Sequence, residues 1–142
     1  MNGTRDPAIT AASRKHLILV VDDDAETRAM LVELLDREGY SAAEARTGAE
    51  ALRMLRSGLR PRAMLVDLTM PEMNGKVFCD ACAGDHELSA IWRVIVSGAD
   101  LGEISRCNAH AYLSKPLDEV TIFELLEHLT APRSRGLALQ VA

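Results

Sequence analysis

The sequence predicts an α/β domain: one doubly wound, five-stranded parallel sheet with helices on both faces. Two observations lead there. Short apolar runs alternate with stretches of helical period, strand then helix, five times along the chain. No internal repeat and no Pro/Gly/Ser linker interrupts that alternation, and right-handed crossovers then align the strands in parallel. Residues 16–130 are read as one domain, residues 1–15 as a mobile lead segment and residues 131–142 as a C-terminal tail.

The first run, Leu17-Ile18-Leu19-Val20-Val21, is apolar throughout, which suits a strand covered on both faces; it stops at Asp22-Asp23-Asp24. A helix follows from Ala25 to Glu38, with Leu31, Leu34 and Leu35 at helical spacing. Asp24 can cap its first turn, Glu26 suits the positive end of its dipole, and Gly39 stops it. Tyr40 to Ala45 is a weaker, alanine-rich strand, assigned from its place between two helices. Thr47-Gly48-Ala49-Glu50 opens a second helix that runs to Arg56, and Gly58 and Pro61 end that unit.

Ala63 to Val66 reads as a buried strand that delivers Asp67 to its carboxyl end, with Pro71 and Gly75 shaping the loop behind it. A third helix spans Gly75 to Ala83, with Val77 and Phe78 expected inward. Arg93 to Val96 is the fourth strand and ends at Ser97-Gly98. A short helical stretch from Asp100 to Cys107 precedes the strand Ala111 to Ser114, which ends at Lys115-Pro116. The last helix, Asp118 to Leu129, carries Val120, Phe123, Leu126 and Leu129 at three-residue steps, with Ile122 and Leu125 broadening the stripe.

Composition excludes several classes. A chain of 142 residues suits one domain with a real core, and a net charge of -5 argues against non-specific nucleic-acid binding. No apolar run approaches membrane-spanning length, and Met1 to Lys15 lacks the apolar core of a secretory signal. Three cysteines make a poor disulfide framework, so a cytoplasmic protein is expected. Cys79 and Cys82 have the spacing of a redox or zinc half-site, but no second pair follows to complete a zinc site; they are read as small helix residues. His16, His86, His110 and His128 are scattered and receive no role.

The chemistry lies in what the strands deliver. In a parallel sheet the carboxyl ends share one edge, which here receives Asp22, Asp23, Asp67, Ser97 and Lys115. Clustered carboxylates repel, by about 4 kcal/mol per pair at ~4 Å and an effective dielectric of ~20. A divalent cation resolves that repulsion, and all-oxygen ligation favours Mg²⁺ or Mn²⁺ over zinc. Mg²⁺ held this way receives phosphate oxygens, which Lys115 and Ser97 can also bind. Asp67, central in the sequence, is the nucleophile candidate, with Asp22 and Asp23 holding the metal.

Val20-Val21-Asp22-Asp23-Asp24, Leu65 through Gly75, Val96-Ser97-Gly98 and Tyr112-Leu113-Ser114-Lys115-Pro116 together resemble the receiver domain of two-component response regulators. The likeness covers Leu17 to Thr130. It implies a flavodoxin-like strand order 2-1-3-4-5. It also implies a phosphoryl group accepted on Asp67 from a histidine kinase or histidine phosphotransfer protein. The metal would be Mg²⁺, on Asp23, Asp67 and the Thr69 backbone carbonyl, with Asp22 assisting through water. Ser97 would take the hydroxyl switch position, Lys115 would pair with the phosphoryl group, and Tyr112 would be the aromatic switch. The resemblance also admits a cis peptide at Lys115-Pro116.

Such a domain is a stand-alone signalling switch rather than an enzyme, acting on a downstream protein and catalysing only its own phosphoryl transfer and slow dephosphorylation. A phosphate sink or relay, or a scaffold that is never phosphorylated, are the alternatives. An aspartyl phosphatase would place a second Asp two residues after the nucleophile, where this chain has Thr69. Between Ser97 and Lys115 the chain is about four residues shorter than the family pattern, roughly one helical turn. The missing turn falls in the fourth helix or the loop after it, so a shortened fourth helix is expected and a homodimer is left open.

Overall fold

The computed structural model describes residues 16–98 and 108–131. Within them the elements run β1 (Leu17–Val21), α1 (Ala25–Arg37), β2 (Ser41–Ala45), α2 (Gly48–Arg56), β3 (Ala63–Asp67), α3 (Gly75–Ala83), β4 (Trp92–Ser97), β5 (Ala111–Ser114) and α4 (Glu119–Thr130). The helix expected at Asp100 to Cys107, with its shortening, lies outside the described residues, as do the terminal segments 1–15 and 132–142. The strands form one sheet in the order β2-β1-β3-β4-β5, and every pair is parallel.

Alternation along each strand divides the core in two. Leu19, Val21, Met64, Val66 and Ile95 face one side and pack with Leu52, Leu55, Phe78 and Cys82 from α2 and α3. Ile18, Val20, Leu65, Val94 and Val96 face the other, against Leu31 and Leu35 of α1 and Leu125 and Leu126 of α4. Helices therefore cover both faces, as the alternation predicts. Cys79 and Cys82 are buried in the first core, and burial pushes the Cys82 thiol up to about 11. A thiol so displaced is a packing residue, not a nucleophile.

Each of the four described helices begins on a side-chain cap. Asp24, Thr47, Asn74 and Asp118 accept the backbone N–H of Thr27, Glu50, Val77 and Thr121 respectively. A cap of this type stabilises a helix by about 1 kcal/mol. Gly39, at φ 89°, then turns the chain out of α1 in a conformation that glycine tolerates best.

Two inward expectations fail. Val77 is 47% exposed, because the buried stripe of α3 is Gly75, Phe78, Cys79 and Cys82, and Val77 sits off that row. Val120 is 61% exposed; α4 buries Ile122, Leu125, Leu126 and Leu129, while Phe123 packs only at the margin. A strict three-residue step falls short of a helical turn and drifts around the helix, so it cannot stay on one face.

Sequence reading gave no role to Arg93 and His110, which pin the opposite edge of the sheet. Arg93 is buried; its Nε donates to the Asn108 carbonyl at 2.7 Å and its Nη1 to those of Ser89 and Ile91 at 3.1 and 3.3 Å. His110 Nδ1 accepts the Arg93 N–H at 2.9 Å, and its ring meets Trp92 edge-on at 4.8 Å. Burial, helped by the Arg93 charge, lowers the His110 pKa to about 4.

The unfolded chain takes up this proton near the ordinary value of 6.5, whereas the fold resists it until about 4. Stability from neutral His110 is therefore complete above pH 6.5 and is lost as pH falls toward 4. His110→Asn, whose side-chain oxygen can accept the same N–H, should flatten the decline in urea-unfolding free energy over that window. A slope equal to that of the parent chain would remove His110 as its cause.

Candidate functional site

The carboxyl edge of the sheet gathers the polar residues that end the strands. Asp67 is the last residue of β3 and pairs in register with Val96 of β4. Asp22 follows β1 directly, and its N–H donates to the Ala45 carbonyl at 3.1 Å, extending the β1–β2 ladder by one bond. Lys115 follows β5, and its N–H donates to the Ser97 carbonyl at 2.9 Å, which holds it beside β4. Backbone pairing thus brings together residues that are nearly a hundred positions apart.

One ligand oxygen from each of Asp22, Asp23 and Asp67 lies within 4.8 Å of the others. Asp22 and Asp67 are buried and Asp23 is exposed. Lys115 Nζ is 3.4 Å from Asp67 Oδ1, and the Thr69 N–H donates to that same oxygen at 3.3 Å. The Asp24 N–H donates to Asp22 Oδ1 at 2.8 Å. Ser97 is buried at the end of β4, and Tyr112, half-buried on β5, packs against the core formed with α2 and α3. The Lys115-Pro116 peptide is cis.

Burial first, and then the neighbouring Asp22 charge, push the Asp67 carboxyl above its usual range; Lys115 and the Thr69 N–H act against them. Burial also raises Asp22, opposed first by the Asp24 N–H and then by Lys115. The ionised cluster is therefore strained electrostatically, and one lysine does not relieve it.

The residues present fit a small hard cation. An octahedral Mg²⁺ sets its ligand oxygens about 3 Å apart when adjacent and about 4 Å apart when opposed. A spread of up to 4.8 Å suits two direct carboxylates with the third reached through water. The donors are all oxygen, which disfavours zinc.

The loop after β3 turns back tightly over the site. The Gly75 N–H donates to the Leu68 carbonyl at 2.8 Å, and a Cβ at Gly75 would lie 2.7 Å from the Asp67 carbonyl oxygen. Any side chain there would push against the backbone that carries Asp67. Glu72, within the same loop, takes φ 68°, a left-handed conformation that costs a non-glycine residue about 1 kcal/mol.

Sequence reasoning missed Arg28. Its Nη1 donates to the Asp22 carbonyl at 2.9 Å and its Nε to Glu44 Oε1 on β2 at 3.0 Å. A cation near the start of α1 opposes the helix dipole, and that misplacement is the signal that could have drawn attention to it.

Because their folded pKa values are raised, Asp22 and Asp67 lose stabilisation as pH climbs through and above the ordinary carboxyl range. At neutral pH and in chelator, Asp67→Asn should therefore unfold at a higher temperature than the parent chain. Asp23→Ala should weaken Mg²⁺ binding about tenfold or more in a calorimetric titration. Unchanged affinity would remove Asp23 from the ligand set.

The family model described as the response regulator receiver domain matches residues 18–127. The chain is 30% identical to PilH of Pseudomonas aeruginosa over 118 residues, covering 80% of this chain and 97% of that protein. It is 32% identical to the chemotaxis protein CheY of Thermotoga maritima over 120 residues, covering 80% and 96%. Among solved structures, the signal receiver domain of a signal transduction histidine kinase from Syntrophus aciditrophicus superposes with a TM-score of 0.77. That structure is 28% identical, with 87% of this chain and 98% of the other covered.

Proposed function

The chain belongs to the response regulator receiver domain family, and from that premise we propose that it is a phosphorylation-dependent switch with Asp67 as its phosphoacceptor. The observation that carries the proposal is the meeting of Asp67 with Asp22, Asp23 and Lys115 at one edge of the sheet. The donor is the phosphohistidine of a sensor kinase or of a histidine phosphotransfer protein.

An Asp67 carboxylate oxygen attacks phosphorus, an O–P bond forms as the donor's N–P bond breaks, and the leaving imidazole takes up a proton. The product is an aspartyl phosphate. When bound, Mg²⁺ supplies charge neutralisation for the phosphoryl oxygens. Asp23, Asp67 and the Thr69 carbonyl would hold it, with Asp22 assisting. Lys115, already 3.4 Å from Asp67 Oδ1, shifts its charge to a phosphoryl oxygen. The Ser97 hydroxyl donates to another.

Both new contacts pull on the ends of β4 and β5, which biases a two-state equilibrium that Tyr112 reports by its rotamer. The output is a contact with a downstream protein. PilH and CheY are matched over 97% and 96% of their lengths, so the likeness extends to nearly the whole of each. Among the described residues no helix is long and apolar enough to cross a membrane, and a cytoplasmic site of action fits a kinase partner.

Intact-mass measurement with acetyl phosphate and Mg²⁺ tests the assignment. One phosphoryl group should add to the parent chain, and none to Asp67→Asn or to the parent in chelator. Equal addition to Asp67→Asn would place the acceptor elsewhere, and no addition at all would favour a receiver-like scaffold.

A further inference from the structure

Among the described residues Arg28 makes no hydrogen bond to the clustered carboxylates, yet it holds the backbone from which two of them hang. Its side chain is only 12% exposed although it starts on a surface helix, and it bridges two elements. Nη1 donates to the Asp22 carbonyl on one side, and Nε pairs with Glu44 of β2 on the other. Glu44 is half exposed and fixes the guanidinium from the edge strand.

Asp22 is consequently held at three atoms. Its N–H bonds the Ala45 carbonyl, its Oδ1 accepts from the Asp24 N–H, and its carbonyl accepts from Arg28. Asp23 is different: its exposed carboxylate accepts no hydrogen bond among the described residues, so nothing within them steers the side chain directly. The peptide plane joining Asp22 to Asp23 orients the backbone from which that side chain leaves, and the oxygen of that plane is the one Arg28 holds.

We infer that Arg28, braced by Glu44, is a positioning residue that sets the Asp22–Asp23 peptide so that both carboxylates present to one cation. The inference rests on the metal-binding reading of the cluster. Charge and geometry make opposite predictions for it. Removing a cation beside three carboxylates would by itself strengthen Mg²⁺ binding. Releasing the peptide plane would weaken it, as loss of outer-shell partners does at metal sites.

The test is a calorimetric Mg²⁺ titration at fixed ionic strength on the parent chain, Arg28→Gln and Arg28→Lys, with thermal unfolding in chelator alongside. Arg28→Gln should raise the Mg²⁺ dissociation constant about tenfold. Arg28→Lys keeps the charge but lacks the fork that reaches both acceptors, and should raise it by a smaller factor. A purely structural role would lower the unfolding temperature and leave the constant of the folded protein unmoved.

Unchanged or tighter binding in Arg28→Gln overturns the inference; if that variant fails to fold, unchanged binding in Arg28→Lys does so. A parent chain that binds no Mg²⁺ sinks the metal-site reading and this inference with it, a pattern distinct from normal parent binding with unmoved variants.

Discussion

Electrostatic repulsion among Asp22, Asp23 and Asp67 is the constraint around which the rest of the structure is arranged. Carboxylates gathered within 4.8 Å disperse unless the backbone holds them. A parallel sheet supplies that hold, because its strands end together and their ladders continue into the turns. The bonds from the Asp22 N–H to Ala45 and from the Lys115 N–H to Ser97 are those continuations. The two-sided core, with α1 and α4 on one face and α2 and α3 on the other, keeps the strand ends from spreading. Folding energy collected across the core is thus set against charge repulsion at one edge.

The loop from Leu68 to Gly75 is shaped by the same demand. Gly75 allows the chain to fold back onto the Asp67 backbone at a distance no side chain would permit. Met70 is buried in the core, and Met73 packs against Gly48 at the start of α2, so the loop is anchored at both flanks. Glu72 absorbs the remaining turn with a positive φ. A loop fixed in this way holds the Thr69 N–H at 3.3 Å from Asp67 Oδ1.

Much of this was legible in the sequence, because strand ends and helix starts carry local signals. The apolar runs ending at Asp22, Asp67, Ser97 and Lys115 located the site edge, and Asp24 announced its cap. Side-chain direction within a helix was less legible. Val77 and Val120 are apolar but lie off the buried rows, and only the phase of each helix against the sheet decides that. Arg93 and His110 carried no such signal, and Arg28 showed only its unfavourable place near the start of α1. Each bonds a backbone carbonyl or N–H, and no pattern of residue types records such a bond.

One divalent cation bound at the carboxyl edge would relieve the carboxylate repulsion, and Mn²⁺ titration followed by amide NMR reads where it binds. Substoichiometric Mn²⁺ should erase the amide signals of Asp22 to Asp24 and of Asp67 to Thr69, and excess Mg²⁺ should restore them. The signals of Arg62 and Trp92, at the opposite edge of the sheet, should persist. Broadening centred away from Asp23 and Asp67, or none at all, would contradict the account.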